Sequence, residues 1–148
     1  MPTLKLEAVE KNLDKMIDFI LSGVEKTNVP DKKNYLNKIR LAAEEALVNI
    51  INYAYGDQIG FVEIRYFFIE ESKSFVIELI DEGIAFNPLE KKDPDISIPM
   101  EERQIGGLGV FMIKNIMDNV EYKREEGKNI FKMVKYFNNE NSQEVSSN

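Results

Sequence analysis

Glu45 and Asn49 stand four residues apart in the stretch EEALVNIINYAY, Glu44 to Tyr55. On a helix that spacing turns both side chains to one face, about 40° apart around the axis. A carboxamide oxygen so placed can hold hydrated Mg²⁺, while the neighbouring carboxylate orients or deprotonates a nucleophile poised against a phosphate. Glu44 points about 100° away and suits that work less well. The same spacing also describes an ordinary solvated pair on an amphipathic helix.

Two further clusters have residue types that suit a nucleotide. In DEGIAFNP, Asp81 to Pro88, a carboxylate ends an apolar run and Gly83 follows where the chain must turn tightly. Such a carboxylate can accept a hydrogen bond from an amino group like that of adenine, with room for a base beside the glycine. The plainer alternative is a strand-ending turn, since Asp-x-Gly is a common turn sequence. In IGGLGVFMIKNIMD, Ile105 to Asp118, glycines run into an amphipathic stretch. Backbone N–H groups left open by glycine, together with the positive end of a helix dipole, form an anion site suited to polyphosphate; a flexible hinge is the alternative. The chain has no GxxxxGK[ST] motif, so the P-loop solution to phosphate binding is absent.

Periodicity names the elements that must position these residues. Leu4, Leu6 and Ala8 alternate with Lys5 and Glu7 as a short half-buried strand. Leu13, Met16, Ile17, Ile20, Leu21 and Val24 form a helical stripe, broken by Asn28, Pro30 and Asp31. A second helix is expected from about Asp31 to Tyr55, stopped by Gly56-Asp57, and it bears Glu45 and Asn49. Phe61 to Glu70 and Ser74 to Asp81 read as a central hairpin across the turn Glu71-Ser72-Lys73. Gly83 to Ile105 holds Pro88, Pro94 and Pro99 without a sustained period and reads as a long lid loop, with Lys91, Lys92 and Arg103 as its main cations. A third helix opens at Gly106-Gly107-Leu108-Gly109, and two last strands, about Val120 to Arg124 and Asn129 to Tyr136, flank a turn at Gly127-Lys128. The expected fold is an α/β (α+β) two-layer sandwich with three helices on one face of a mixed, mainly antiparallel sheet. Residues 1–137 make one domain and 138–148 a polar, disordered tail.

Composition narrows the chemistry. One domain of 148 residues with 43% apolar content fills a single core without staples. The chain has no Cys and no His, which removes thiol nucleophiles, Ser-His-Asp triads, Cys/His zinc sites and phosphorylation of its own histidine. A formal net charge of −7 disfavours direct nucleic-acid binding. No stretch approaches about 18 apolar residues and the N-terminus lacks signal-peptide features, so a soluble cytoplasmic protein without membrane contact is expected.

The three clusters, in this order and at these separations, resemble the N, G1 and G2 boxes of the Bergerat-fold ATPases, the superfamily of DNA gyrase and histidine kinases. The phrases EALVNIINYAY, DEGIAFNP and IGGLGVFMIKNIMDNVEYKREEGKNIFKMVK are most similar to the small anti-sigma factor serine kinases of bacterial stress and sporulation pathways, over about residues 4 to 137. The resemblance implies a Bergerat ATP-binding fold that takes ATP with Mg²⁺. Under it Glu45 is the catalytic glutamate, Asn49 the Mg²⁺-binding asparagine and Asp81 the aspartate that recognises the adenine amino group. Gly83 supports the base, and Gly106, Gly107, Leu108 and Gly109 lie at the phosphates. It also implies phosphorylation of a serine or threonine on a STAS-domain anti-sigma factor antagonist, sequestration of a sigma factor, and a homodimer.

Two positions depart from the pattern. Ala85 stands where many members have a second glycine, adding a methyl and forbidding easy positive φ. Asn129 stands near the place where a threonine often follows the last glycine, and still donates and accepts hydrogen bonds. The motifs fit a kinase, an ATP-gated sigma or regulator-binding module with little or no kinase activity, or a hydrolase with water as acceptor.

Overall fold

A computed structural model describes residues 1–90 and 107–137. Lys91, Lys92, Arg103, Gly106 and the 138–148 tail lie outside the described residues. The chain order is β1 (Thr3–Glu7), α1 (Leu13–Glu25), α2 (Lys32–Tyr53), β2 (Phe61–Ile69), β3 (Ser74–Asp81), α3 (Gly107–Ile116), β4 (Asn119–Glu125) and β5 (Lys128–Tyr136), with single 3-10 turns at Glu10–Asn12 and Pro88–Glu90.

The apolar stripe of α1 is the buried one: Met16, Ile17, Ile20, Leu21 and Val24 face the core. On α2, Tyr35, Ile39, Ala42, Ala43, Ala46 and Leu47 do the same. The three alanines leave that face shallow, so the helix can lie close to its neighbours. Full burial of each larger aliphatic side chain contributes about 1.5–3 kcal/mol. α2 starts at Asp31, whose φ of 58° is left-handed and whose carbonyl accepts from Asn34 N at 3.1 Å. Beyond its end Gly56 takes a φ of 59°, the left-handed position that glycine favours.

The five strands form one open sheet in the order β1-β2-β3-β5-β4, and every pairing is antiparallel. A mixed sheet would need a parallel neighbour, and the described residues contain none. β4 does run in the direction of β3, but β5 is inserted between them and pairs with both. The β4–β5 hairpin closes on Glu126 and Gly127, both at positive φ (51° and 78°), the backbone of a two-residue turn that matches strand twist.

Successive rungs place alternate side chains on the helix side. Leu4, Ile64, Leu79, Phe131 and Tyr122 make one row, and Tyr66, Ile77, Met133 and Val120 another. These rows meet α1, α2 and α3 in one continuous core. The opposite face bears the row Arg65, Glu78, Lys132 and Glu121, in which charge alternates across the strands. At the end of the helix-side rows lies a polar one, Asp81 on β3, Asn129 on β5 and Arg124 on β4, and it builds the site.

Candidate functional site

Asp81 is 4% exposed and Asn129 6%, and two polar side chains so buried need partners. The register makes them rung neighbours, and Asn129 Nδ2 donates to Asp81 Oδ1 at 2.9 Å. The same oxygen accepts from Gly83 N at 2.9 Å. Asn129 Nδ2 also donates to Ile84 O at 2.7 Å, while its Oδ1 accepts from Tyr122 OH at 2.5 Å and Phe86 N at 3.4 Å. These partners dictate which end of the amide faces the carboxylate. Both bonds to Asp81 land on Oδ1, so among the described residues Oδ2 remains to accept a ligand's amino proton.

The turn after Asp81 is anchored to the end of α2. Ile84 N donates to Ala54 O at 3.0 Å, and a Cβ at Gly83 would collide with that same carbonyl. Gly83 has no positive φ, so glycine is required there by close approach rather than by backbone handedness. Arg124 Nη1 donates to Gly83 O at 2.8 Å from the other side. The space at Gly83 is therefore filled by α2, and the open room lies next to it.

That room is a cavity of about 40 Å³ whose walls include Asn49, Tyr53, Asp81, Phe86, Ile113 and Asn129. A cavity of that size has room for water. Phe86, whose ring centroid lies 6.2 Å from that of Tyr53, comes from the loop after β3 and closes one side of the cavity.

Glu45 and Asn49 are both half-buried on one face of α2. Among the described residues no hydrogen bond or ion pair holds the Glu45 carboxylate or the Asn49 amide. Gly109, in the first turn of α3, lies directly against Glu45: a Cβ there would stand 2.6 Å from Glu45 Oε2. α2 thus runs along the site as a ruler, with Gly109 beside Glu45 at one end, Asn49 in the middle, and Gly83 beside Ala54 at the other. From residue 45 to residue 54 the helix rises about 13 Å. Gly107 opens α3 in the same region, with Leu108 between it and Gly109.

The expected residues divide cleanly. Asn49, Asp81 and Asn129 share one cavity, with Gly83 behind its wall and Glu45 and Gly109 together one helical turn further on. Ala85 is exposed and lines none of it. Among the described residues no group of three acidic side chains could hold a metal. Asn49 is a single hard oxygen donor, which fits Mg²⁺ only as an ion held mainly by phosphates and water.

Three residues not weighed from the sequence also belong here. Tyr122 orients Asn129, Arg124 holds the Gly83 carbonyl, and Tyr55 bonds the backbone next to Asp81. The first two could have been found from alternation along β4, which turns Tyr122 and Arg124 to one face.

Three helices over an open antiparallel sheet, with a largely apolar pocket between the second helix and the middle strands into which the Asp81 carboxylate is set, define a two-layer α/β sandwich. Residues 6–135 match the family described as the histidine kinase-like ATPase domain, and the chain belongs to it. Among curated relatives it is similar to a serine-protein kinase RsbW of Bacillus cereus, 30% identical over 109 residues, covering 71% of this chain and 66% of that protein. The RsbW of Bacillus mycoides is 28% identical over the same length. The chain spans just under two thirds of these relatives. Among solved structures, the histidine kinase domain of the Erythrobacter litoralis EL346 blue-light activated histidine kinase aligns with a TM-score of 0.55 at 14% identity, covering 86% of this chain and 60% of that one. A structure of the EL346 kinase aligns at 0.57 and 15%, covering 87% and 42%. At such identities the likeness is one of fold. No helix among the described residues is long and apolar enough to cross a membrane.

Proposed function

We propose that this protein is an ATP-dependent serine/threonine protein kinase that phosphorylates a small STAS-type anti-sigma factor antagonist and, when free of it, holds a sigma factor as a homodimer. The observation that carries the reading is the ordering along α2. The Asp81 carboxylate, the hard oxygen donor of Asn49 and the Glu45 carboxylate against Gly109 follow one another along that helix, the order in which a base, metal-bound phosphates and a reacting phosphoryl group would lie.

In this reading Asp81 Oδ2 accepts the exocyclic amino proton of adenine, with Oδ1 held by Asn129 and Gly83. The amides around Gly107 and Gly109 face the phosphates from the start of α3. Asn49 would hold Mg²⁺, which when bound offsets charge on the phosphates. Glu45 orients the acceptor hydroxyl and takes its proton as the γ-phosphoryl group passes to the hydroxyl oxygen and ADP leaves. Catalysis is then mostly positioning and electrostatic stabilisation. The similarity to kinases named for serine supports a serine or threonine acceptor over water.

The test is intact-mass analysis of a purified STAS-domain protein after incubation with this chain, Mg²⁺ and ATP. One added phosphate, mapped to serine or threonine and absent without ATP, supports the reading. ATP consumption without modification would make the protein a hydrolase instead.

A further inference from the structure

Tyr55 lies just past the end of α2 and joins two strands through its hydroxyl. The oxygen accepts from Glu82 N at 2.8 Å and donates to Phe61 O at 2.5 Å. Those two groups belong to the rung beyond the last pair of the β2–β3 ladder, Val62 opposite Asp81. Gly60 O points to the β1 side, where Ala8 N donates to it at 2.8 Å, so the next carbonyl, Phe61 O, faces β3. The hydroxyl therefore occupies the place of a ladder hydrogen bond, inserted between donor and acceptor.

That insertion has a structural consequence. A direct bond from Glu82 N to Phe61 O would carry β3 on along β2. With an oxygen between them the strands part by the width of a hydroxyl, and the chain leaves the sheet directly after Asp81. It turns at Gly83 onto Ala54, where Ile84 N is bonded. The phenol ring is itself fixed from behind, since a Cβ at Gly60 would collide with its carbons. The clamp also stands in a thin wall. Asp81 and Ala54 line both the small cavity with Asn49 and a larger one of about 520 Å³ on the other side, to which Tyr55 contributes.

We propose that Tyr55 is a positioning residue for nucleotide recognition: by replacing the rung after Asp81 with its hydroxyl, it sets where β3 ends and so aims the Asp81 carboxylate. The inference rests on the reading of Asp81 as the adenine acceptor. Burial, reinforced by the nearby Asp81 and Glu82 charges, raises the Tyr55 pKa, so the hydroxyl keeps the proton that Phe61 O receives.

The experiment compares Tyr55→Phe, Asp81→Asn and the double variant in calorimetric titrations with Mg²⁺ and either ATP or purine riboside triphosphate, which lacks the exocyclic amino group. Phenylalanine keeps the ring against Gly60 and removes only the clamp. Tyr55→Phe is expected to weaken ATP binding about tenfold, the scale of one lost hydrogen bond with an unpaired partner. The analogue should bind nearly unchanged, and the double variant should bind ATP no more weakly than Asp81→Asn alone. Hydrogen exchange of the Glu82 amide should speed up in Tyr55→Phe. Equal losses for both nucleotides, or losses that add in the double variant, would reduce Tyr55 to a structural role and overturn the inference. Wild-type ATP preference in Tyr55→Phe alongside its loss in Asp81→Asn would overturn it too, and leave the Asp81 reading standing. Wild-type ATP affinity in Asp81→Asn would remove both.

Discussion

The α-carbon of Gly109 lies so close to the Glu45 carboxylate that a methyl group added to it would stand 2.6 Å from Oε2. The glycine-led helix and the candidate catalytic helix therefore meet at the carboxylate proposed to take the acceptor's proton. The clashing atom is the far end of a flexible side chain, so the fold can absorb the methyl but the carboxylate must move. Gly109→Ala is expected to leave the thermal midpoint within a few degrees while phosphoryl transfer falls about a hundredfold, the usual scale for a misplacement near 1 Å. Thermal unfolding beside a transfer assay reads both, and transfer at the wild-type rate would show that Glu45 tolerates displacement.

Glu45 and Asp81 should separate chemistry from binding. Glu45→Ala is expected to abolish transfer while retaining most of the ATP affinity; Asp81→Asn is expected to weaken ATP binding, because an amide presented to adenine's amino group can offer it a donor instead of an acceptor. Titration calorimetry and a transfer assay on both variants test the division, and equal loss of affinity in the two would contradict it.

Asn129→Ala removes one of the two donors to the buried Asp81 Oδ1 and the side-chain donor to Ile84 O, and takes away the acceptor of the Tyr122 hydroxyl. The expected cost is about 1–3 kcal/mol of folding stability together with weaker ATP binding. Urea denaturation measures the first and calorimetry the second. A stability change with intact affinity would make Asn129 a purely structural support.

Gly83→Ala drives a methyl into the Ala54 backbone, which cannot swing aside as a side chain can. Overpacking of this kind costs about 1–3 kcal/mol, and the turn that carries Asp81 must shift with it. Denaturation midpoint and ATP affinity should fall together.

The Tyr55 hydroxyl is protonated in its clamp, and burial raises its pKa above the ordinary 10.0. A group whose folded pKa is raised contributes stability that is fully present below the unfolded value and lost as pH rises through the folded one. Below pH 10.0 the Tyr55 contribution should be constant; above it, the stability difference between wild type and Tyr55→Phe should shrink. Guanidinium denaturation of both proteins on either side of that pH gives the comparison.

Much of this architecture can be read from periodicity. The α1 stripe is strongly amphipathic, and α2, expected at Asp31 to Tyr55, runs Lys32–Tyr53. The strand pairs joined by short turns are legible because turn chemistry is local. Sheet order is not, since the pairing of β3 with β5 depends on contacts across a long connection. For that reason resemblance alone leaves Asn129 near the last glycine of the motif, whereas the register sets it on the rung of Asp81. Gly83 is legible as special but not as a close approach to Ala54, because only packing reveals what fills the missing side chain's space. Tyr55 gives no signal of its own, since a hydroxyl standing in for a ladder bond has no sequence pattern. Ala85, singled out by its place in the motif, is exposed and does not line the cavity, although its neighbours Ile84 and Phe86 do.

The most direct test of the central claim is transfer from γ-labelled ATP, with Mg²⁺, by wild-type and Glu45→Ala protein in an extract of the source organism, with ATP binding of both measured alongside. The expected result is a small protein carrying acid-stable phosphoserine or phosphothreonine, labelled by wild type and not by Glu45→Ala, although both bind ATP. Binding of ATP by both proteins with no labelled protein in either reaction would contradict the kinase and leave a nucleotide-gated sequestering module.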